Sequence, residues 1–145
     1  MLYIDTSVLL VYTLTQSIEI ERFQITDKLF TKIISGEITA ATSFYALHEL
    51  YIFALENAPD LETGYAFGKN ALLKVFSTPI HILPFVSRME RKNLVEKFAG
   101  LRDLSDLPHA IAAFNSRCDA IVAYDEHFQA ISHVIPYKKP EDYVL

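Results

Sequence analysis

A chain of 145 residues, 51% of them hydrophobic, is long enough to bury one core, and the expectation is a single domain over residues 1–145. A net charge of −5 argues against broad electrostatic attraction to nucleic acid, although a local basic patch can still hold phosphates. The single cysteine, Cys118, has no disulfide partner and no Cys or His at zinc spacing. With no apolar run approaching roughly 20 residues and an early Asp5 without a basic flank, the reading is a cytoplasmic protein with neither a membrane span nor a signal peptide.

Taken in chain order, "MLYI" reads as a short buried strand and "TSVLLVYTL" as an apolar helix, with Asp5 between them. "ERFQITDKLFTKIIS" has helical periodicity and stops at Gly36. "EITAA" reads as a strand, then "TSFYALHELYIFALEN" as a helix capped by Thr42 or Ser43 and ended by Pro59. Asp60 to Phe76 is a further helix, "IHIL" a strand between prolines, and Ser87 to Leu101 an amphipathic helix. Five of the 13 Lys/Arg residues fall between Arg88 and Arg102, and that stretch reads best as a solvated face, with nucleic-acid contact as the alternative. "SDLPHAIAAFNSRC" tolerates Pro108 in its first helical turn, "AIVAY" is a buried strand and "VIPY" a last short one. Continuous apolar strands alternating with helices predict an α/β fold, a parallel sheet sandwiched between helices. Ligands in such folds collect at the carboxyl ends of the strands.

Acidic residues concentrate where that edge should lie. Asp5 follows the first strand and Asp125 follows "AIVAY"; each also suits a helix cap. Glu49 has Tyr45, Ala46, Ile52 and Phe53 as its helical neighbours, and no Lys or Arg occurs from Ile33 to Gly68. A carboxylate on that apolar face requires a distant base, a raised pKa or a bound cation. Asp106 suits the positive end of a helix dipole, and Asp103 suits a loop or cap. Clustered carboxylates repel unless a cation lies between them, and an all-oxygen set selects Mg²⁺ or Mn²⁺. Such ions activate water against phosphodiesters, and no protein nucleophile is suggested.

The order "YIDTSVLL", "LHELYIFAL", "LSDLPHAIAA", "AIVAYDEHF" resembles the PIN-domain ribonucleases, especially VapC-type toxins, from Leu2 to about Phe128. The resemblance implies a PIN-like, Rossmann-like three-layer fold. It also implies metal-dependent RNA cleavage by Asp5, Glu49, Asp106 and Asp125 as catalytic, metal-holding acids. Thr6 and Ser7 would hold Asp5 or a metal-bound water by hydrogen bonds, and Asp103 would add a carboxylate nearby. It further implies a homodimer inhibited by a small VapB-like antitoxin. One departure is Ala123, where many members have Thr or Ser two residues before the fourth acid. His48 and His109 read first as hydrogen-bonded structural histidines, and Tyr51, Phe53 and Tyr65 as core before groove. A covalent aspartyl-phosphate phosphatase is disfavoured because Ser7 stands where a second acid is needed. The alternative of another class is a catalytically weak PIN-like module that only binds RNA or protein.

Overall fold

A computed structural model describes the whole chain, Met1–Leu145. Its centre is a five-stranded sheet, all parallel, in the order β3-β2-β1-β4-β5. The strands are β1 (Leu2–Ile4), β2 (Ala40–Ser43), β3 (His81–Leu83), β4 (Ala120–Val122) and β5 (Tyr137–Lys138). Between and after them run α1 (Thr6–Thr13), α2 (Ile20–Ile34), α3 (Phe44–Asn57), α4 (Leu61–Phe76), α5 (Arg88–Leu94), α6 (Leu107–Asn115) and α7 (Glu141–Val144).

The strands read as unbroken apolar runs because both faces of the sheet are covered. Leu2, Ile4, Ala40, Ala120 and Val122 pack with Val8 and Leu9 of α1, Leu29 and Phe30 of α2, Leu50 of α3 and Val75 of α4. Tyr3, Ile121 and Ala123, pointing the other way, pack with Leu107 and Ile111 of α6, and with Phe98 and Phe128. The result is a three-layer α/β sandwich, as the alternation of elements predicts.

Three boundaries differ from the sequence reading. The second strand starts at Ala40 and runs through Thr42 and Ser43, because both hydroxyls find partners. Thr42 Oγ1 donates to the Ile4 carbonyl at 2.8 Å, and Ser43, not Thr42, caps α3 by accepting from the Ala46 N–H. The last strand is Tyr137–Lys138 rather than "VIPY"; Pro136 contributes its carbonyl to the Ile121 N–H at 2.8 Å. The expected helix from Ser87 to Leu101 breaks in two. A Ser87–Glu90 capping box starts α5, which ends at Leu94, and a tighter 3-10 turn over Val95–Phe98 brings Phe98 into the core.

Candidate active site

The β1 and β4 strands are neighbours with Ile4 opposite Val122, so the residues following them share one edge of the sheet. The Asp5 N–H extends the ladder to the Val122 carbonyl at 3.0 Å, and its buried carboxylate caps α1. Asp5 Oδ2 accepts from the Ser7 N–H at 3.0 Å and from Ser7 Oγ at 2.7 Å. Ser7 Oγ in turn accepts from the Tyr124 N–H at 3.0 Å, tying the first acid to the segment that carries Asp125. Ser7 therefore supports Asp5 as the sequence suggests. Thr6 makes no bond to Asp5; its Oγ1 is buried without a hydrogen-bond partner.

Asp125 caps the 3-10 turn Glu126–Ile131 and accepts from the His127 N–H at 2.9 Å. That bond orients the carboxylate in place of the hydroxyl missing at Ala123, whose methyl lies in the core with Tyr3 and Ile121. Asp106 opens α6 without making a capping bond, so capping does not explain it. Its side chain is 12% exposed and its Oδ2 is buried without a hydrogen-bond partner. His127 Nδ1 lies 3.3 Å from that oxygen but outside hydrogen-bonding alignment. Burial first, then the charges of Asp125, Asp103 and Asp5, push the Asp106 carboxyl up to about 6. Burial also raises Asp5, against the pull of His109 and its Ser7 hydrogen bonds.

The expected burial of Glu49 requires a correction, its side chain being 43% exposed. Of the alternatives open for it, a distant base is present: its Oε1 lies 2.5 Å from His109 Nε2. The fully buried His109 ring continues through Nδ1 to the Tyr3 hydroxyl at 2.7 Å, and that hydroxyl to Ser43 Oγ at 2.6 Å. Asp5 Oδ1 stands 3.8 Å from His109 Nδ1, so the imidazole lies between two acids. Burial alone would lower its pKa, but the Glu49 hydrogen bond and the Asp5 charge outweigh it and the pKa is raised. The same burial, with Asp5 and Glu49 nearby, holds the Tyr3 phenol well above its ordinary value.

The four acids thus fall into two linked groups. Asp5 and Asp125 follow β1 and β4 with Asp106 nearby at the opening of α6, while Glu49, in the second turn of α3, is engaged by His109. Asp103 joins the first group: an oxygen of Asp103, one of Asp106 and a ring nitrogen of His127 lie within 4.8 Å of one another. Asp103 Oδ1 is also held by Ser105, through its N–H at 2.9 Å and its Oγ at 2.8 Å. His127, 62% exposed, is the member that sequence reasoning missed; it stands 3.2 Å from Asp125 Oδ1. Its only signal was its place two residues after Asp125. His109 is hydrogen-bonded, as expected, and proves central to the site. His48 is exposed and lines an open groove of about 410 Å³ with Thr6 and Glu49.

The donor chemistry fits a hard divalent cation. Asp103, Asp106 and His127 offer ligand atoms within 4.8 Å of one another, the charges of Asp125 and Asp5 reach Asp106, and Asp106 Oδ2 is buried with no hydrogen-bond partner, which is unfavourable unless a cation or a proton satisfies it.

No protein-family model matches the sequence, and no curated protein matches it. Solved structures do match. A chain of the VapBC2 complex of Rickettsia felis, solved with a DNA fragment from its promoter, aligns over 96% of this chain and 98% of its own with a TM-score of 0.63 at 16% identity. A chain of VapBC-1 from nontypeable Haemophilus influenzae aligns over 97% and 99%, with a TM-score of 0.58 at 17% identity. At such low identity the shared property is the fold, and it is shared from end to end. The chain has a PIN-like three-layer α/β fold.

Proposed function

We propose that the chain is a divalent-metal-dependent ribonuclease, the toxin of a VapBC-type toxin–antitoxin pair. The observation that carries this reading is a buried Asp106 oxygen that no protein donor satisfies, within reach of the charges of Asp125, Asp103 and Asp5 at one sheet edge. Asp5, Asp106 and Asp125 hold the ion, Mg²⁺ or Mn²⁺, with Asp103 at the margin. The bound ion supplies an activated water and neutralises charge on the phosphodiester. Ser7 fixes Asp5, the His127 N–H fixes Asp125, and His109 fixes Glu49 at the border of the site. The remaining proposal, from the resemblance, is that Glu49 acts with the other three on the same ion. RNA in the cytoplasm is the substrate this reading requires.

The neighbouring structures are VapBC complexes, which supports a VapB-like antitoxin as the partner. An apolar groove of about 430 Å³, lined in part by Leu14, Ile18, Phe53 and Phe67, is a surface suited to an apolar segment of it. Tyr51, Leu55, Leu61 and Tyr65 present a second apolar face for a homodimer. Neither Tyr51 nor Phe53 is core, and Tyr65 is exposed, contrary to the reading that core packing is their first fate.

Titration calorimetry with Mn²⁺ tests the metal centre. Wild type should bind and release protons at pH 6, because a partly protonated Asp106 must ionise; Asp106→Asn should bind at least tenfold more weakly. Equal affinity in the two proteins would remove the observation on which the reading stands.

A further inference from the structure

Phe44 and Phe85 lie at the sheet edge that carries Asp5 and belong to neither core group. Phe44 is the first residue after β2, and Phe85 lies two residues after β3. Parallel strands place both at the same carboxyl edge as Asp5. The rings stack on each other, centroids 5.2 Å apart with planes at 25°, yet Phe44 is 43% and Phe85 63% exposed. Such an exposed apolar pair is unfavourable in water unless something covers it. The pair is also fixed in place. Tyr45 packs edge-on to Phe85 at 5.1 Å, its hydroxyl oxygen accepts from the Val86 N–H at 2.8 Å, and its ring reaches His109 with centroids 6.2 Å apart. The platform is thereby coupled by direct packing to the histidine that holds Glu49.

Positive charge follows at once in the chain. Arg88, Arg91 and Lys92 lie on α5, which buries no residue, and none of the three makes a salt bridge. In a chain of net charge −5, unpaired cations one to two turns from an exposed aromatic pair are the complement of a phosphate backbone carrying an unstacked base. A duplex keeps its bases stacked inside and cannot offer that face.

We infer that Phe44 and Phe85 form a stacking subsite for an unpaired base of the RNA, with Arg88, Arg91 and Lys92 on the adjoining phosphates. The inference rests on the ribonuclease reading and gives that site an aromatic platform that holds one unpaired base. It assigns the basic segment a role that its solvated character alone did not.

The test is binding of a short single-stranded RNA carrying a fluorescent adenine analogue, in an Asp125→Asn background with Mg²⁺ so that the strand stays intact. Phe85→Ala should weaken binding about five- to fifty-fold, and Phe85→Trp should restore it, whereas Phe85→Leu should not. Replacing Arg88, Arg91 and Lys92 with Ala should flatten the salt dependence. A hairpin stem without unpaired bases should bind weakly, and equally to all the Phe85 variants. If Phe85→Ala binds the single strand like its parent, or if the parent binds none, the subsite is wrong. Cleavage by the wild type decides the other question: RNA cut normally by a Phe85→Ala enzyme refutes only the subsite. RNA bound through Phe85 but never cut with Mg²⁺ or Mn²⁺ refutes the ribonuclease and leaves the subsite standing.

Discussion

Replacing Asp106 with Asn removes a buried charge that no donor satisfies, so it should stabilise the metal-free protein while abolishing metal binding. The sign follows from linkage. The folded carboxyl titrates at about 6 against an ordinary 3.8, so its charged form opposes folding. That opposition is absent below pH ~4, grows between there and pH ~6, and is complete above it. Urea unfolding should show the variant more stable by about 1–2 kcal/mol at pH 7.5, with the difference vanishing near pH 4. A variant equally or less stable than wild type at pH 7.5 would mean the oxygen is satisfied in solution. His109→Ala acts in the opposite direction. It strips Asp5 and Glu49 of their shared counter-group and leaves Tyr3 without its ring-nitrogen partner, and should destabilise by about 3 kcal/mol in the same assay. Tyr3→Phe, which leaves the imidazole in place, should lose less than half of that.

At the scale of elements, the α3–α4 pair is set by glycine. A Cβ at Gly64 would stand 3.0 Å from the Leu55 Cα and 3.1 Å from the Ala54 carbonyl oxygen, both backbone. At Gly68 it would meet the Tyr51 ring at 2.6 Å, a side chain with room to turn outward. Gly64→Ala should therefore lower thermal stability by about 2 kcal/mol, and Gly68→Ala by less, despite the better helix propensity of alanine in both. The ordering of the two midpoints is the check. This scale also shows what the sequence made legible. Asp5 and Asp125 announced themselves because a carboxylate directly after an apolar strand can only lie at the sheet edge. Asp106 was legible as an early helix residue, though not the absence of its cap. The partner of Glu49 was hidden, since it lies 60 residues away on α6 and is a histidine where a Lys or Arg was sought. His127 was hidden for a different reason: a turn residue carries no periodicity, and its ring meets Asp106 and Asp125 only through the shape of the 3-10 turn. The break in the helix after Leu94 was equally unreadable, because the apolar spacing of Leu94, Phe98 and Leu101 suits a continuous helix as well as the tighter turn that forms.

Across the whole molecule, the fold collects acids from the ends of β1 and β4 and from the start of α6. It keeps a histidine between Asp5 and Glu49, and leaves aromatic and apolar surface exposed around α3, α4 and β3. No helix is long and apolar enough to cross a membrane. The exposed surfaces are the expected sites of macromolecular contact. Size-exclusion chromatography with light scattering should give a dimer that Leu61→Glu with Tyr65→Glu converts to monomer. An unchanged elution of that variant would exclude the α3–α4 face as the dimer contact. Under the proposed function, this edge cuts RNA with a divalent ion. Its most direct test is incubation of structured and single-stranded RNA with the purified, antitoxin-free protein in Mg²⁺, in Mn²⁺ and in EDTA, beside Asp5→Asn and Asp106→Asn. The account predicts cleavage that needs the ion and disappears in both variants; cleavage that persists in EDTA or in the variants, or none with any RNA, would contradict it.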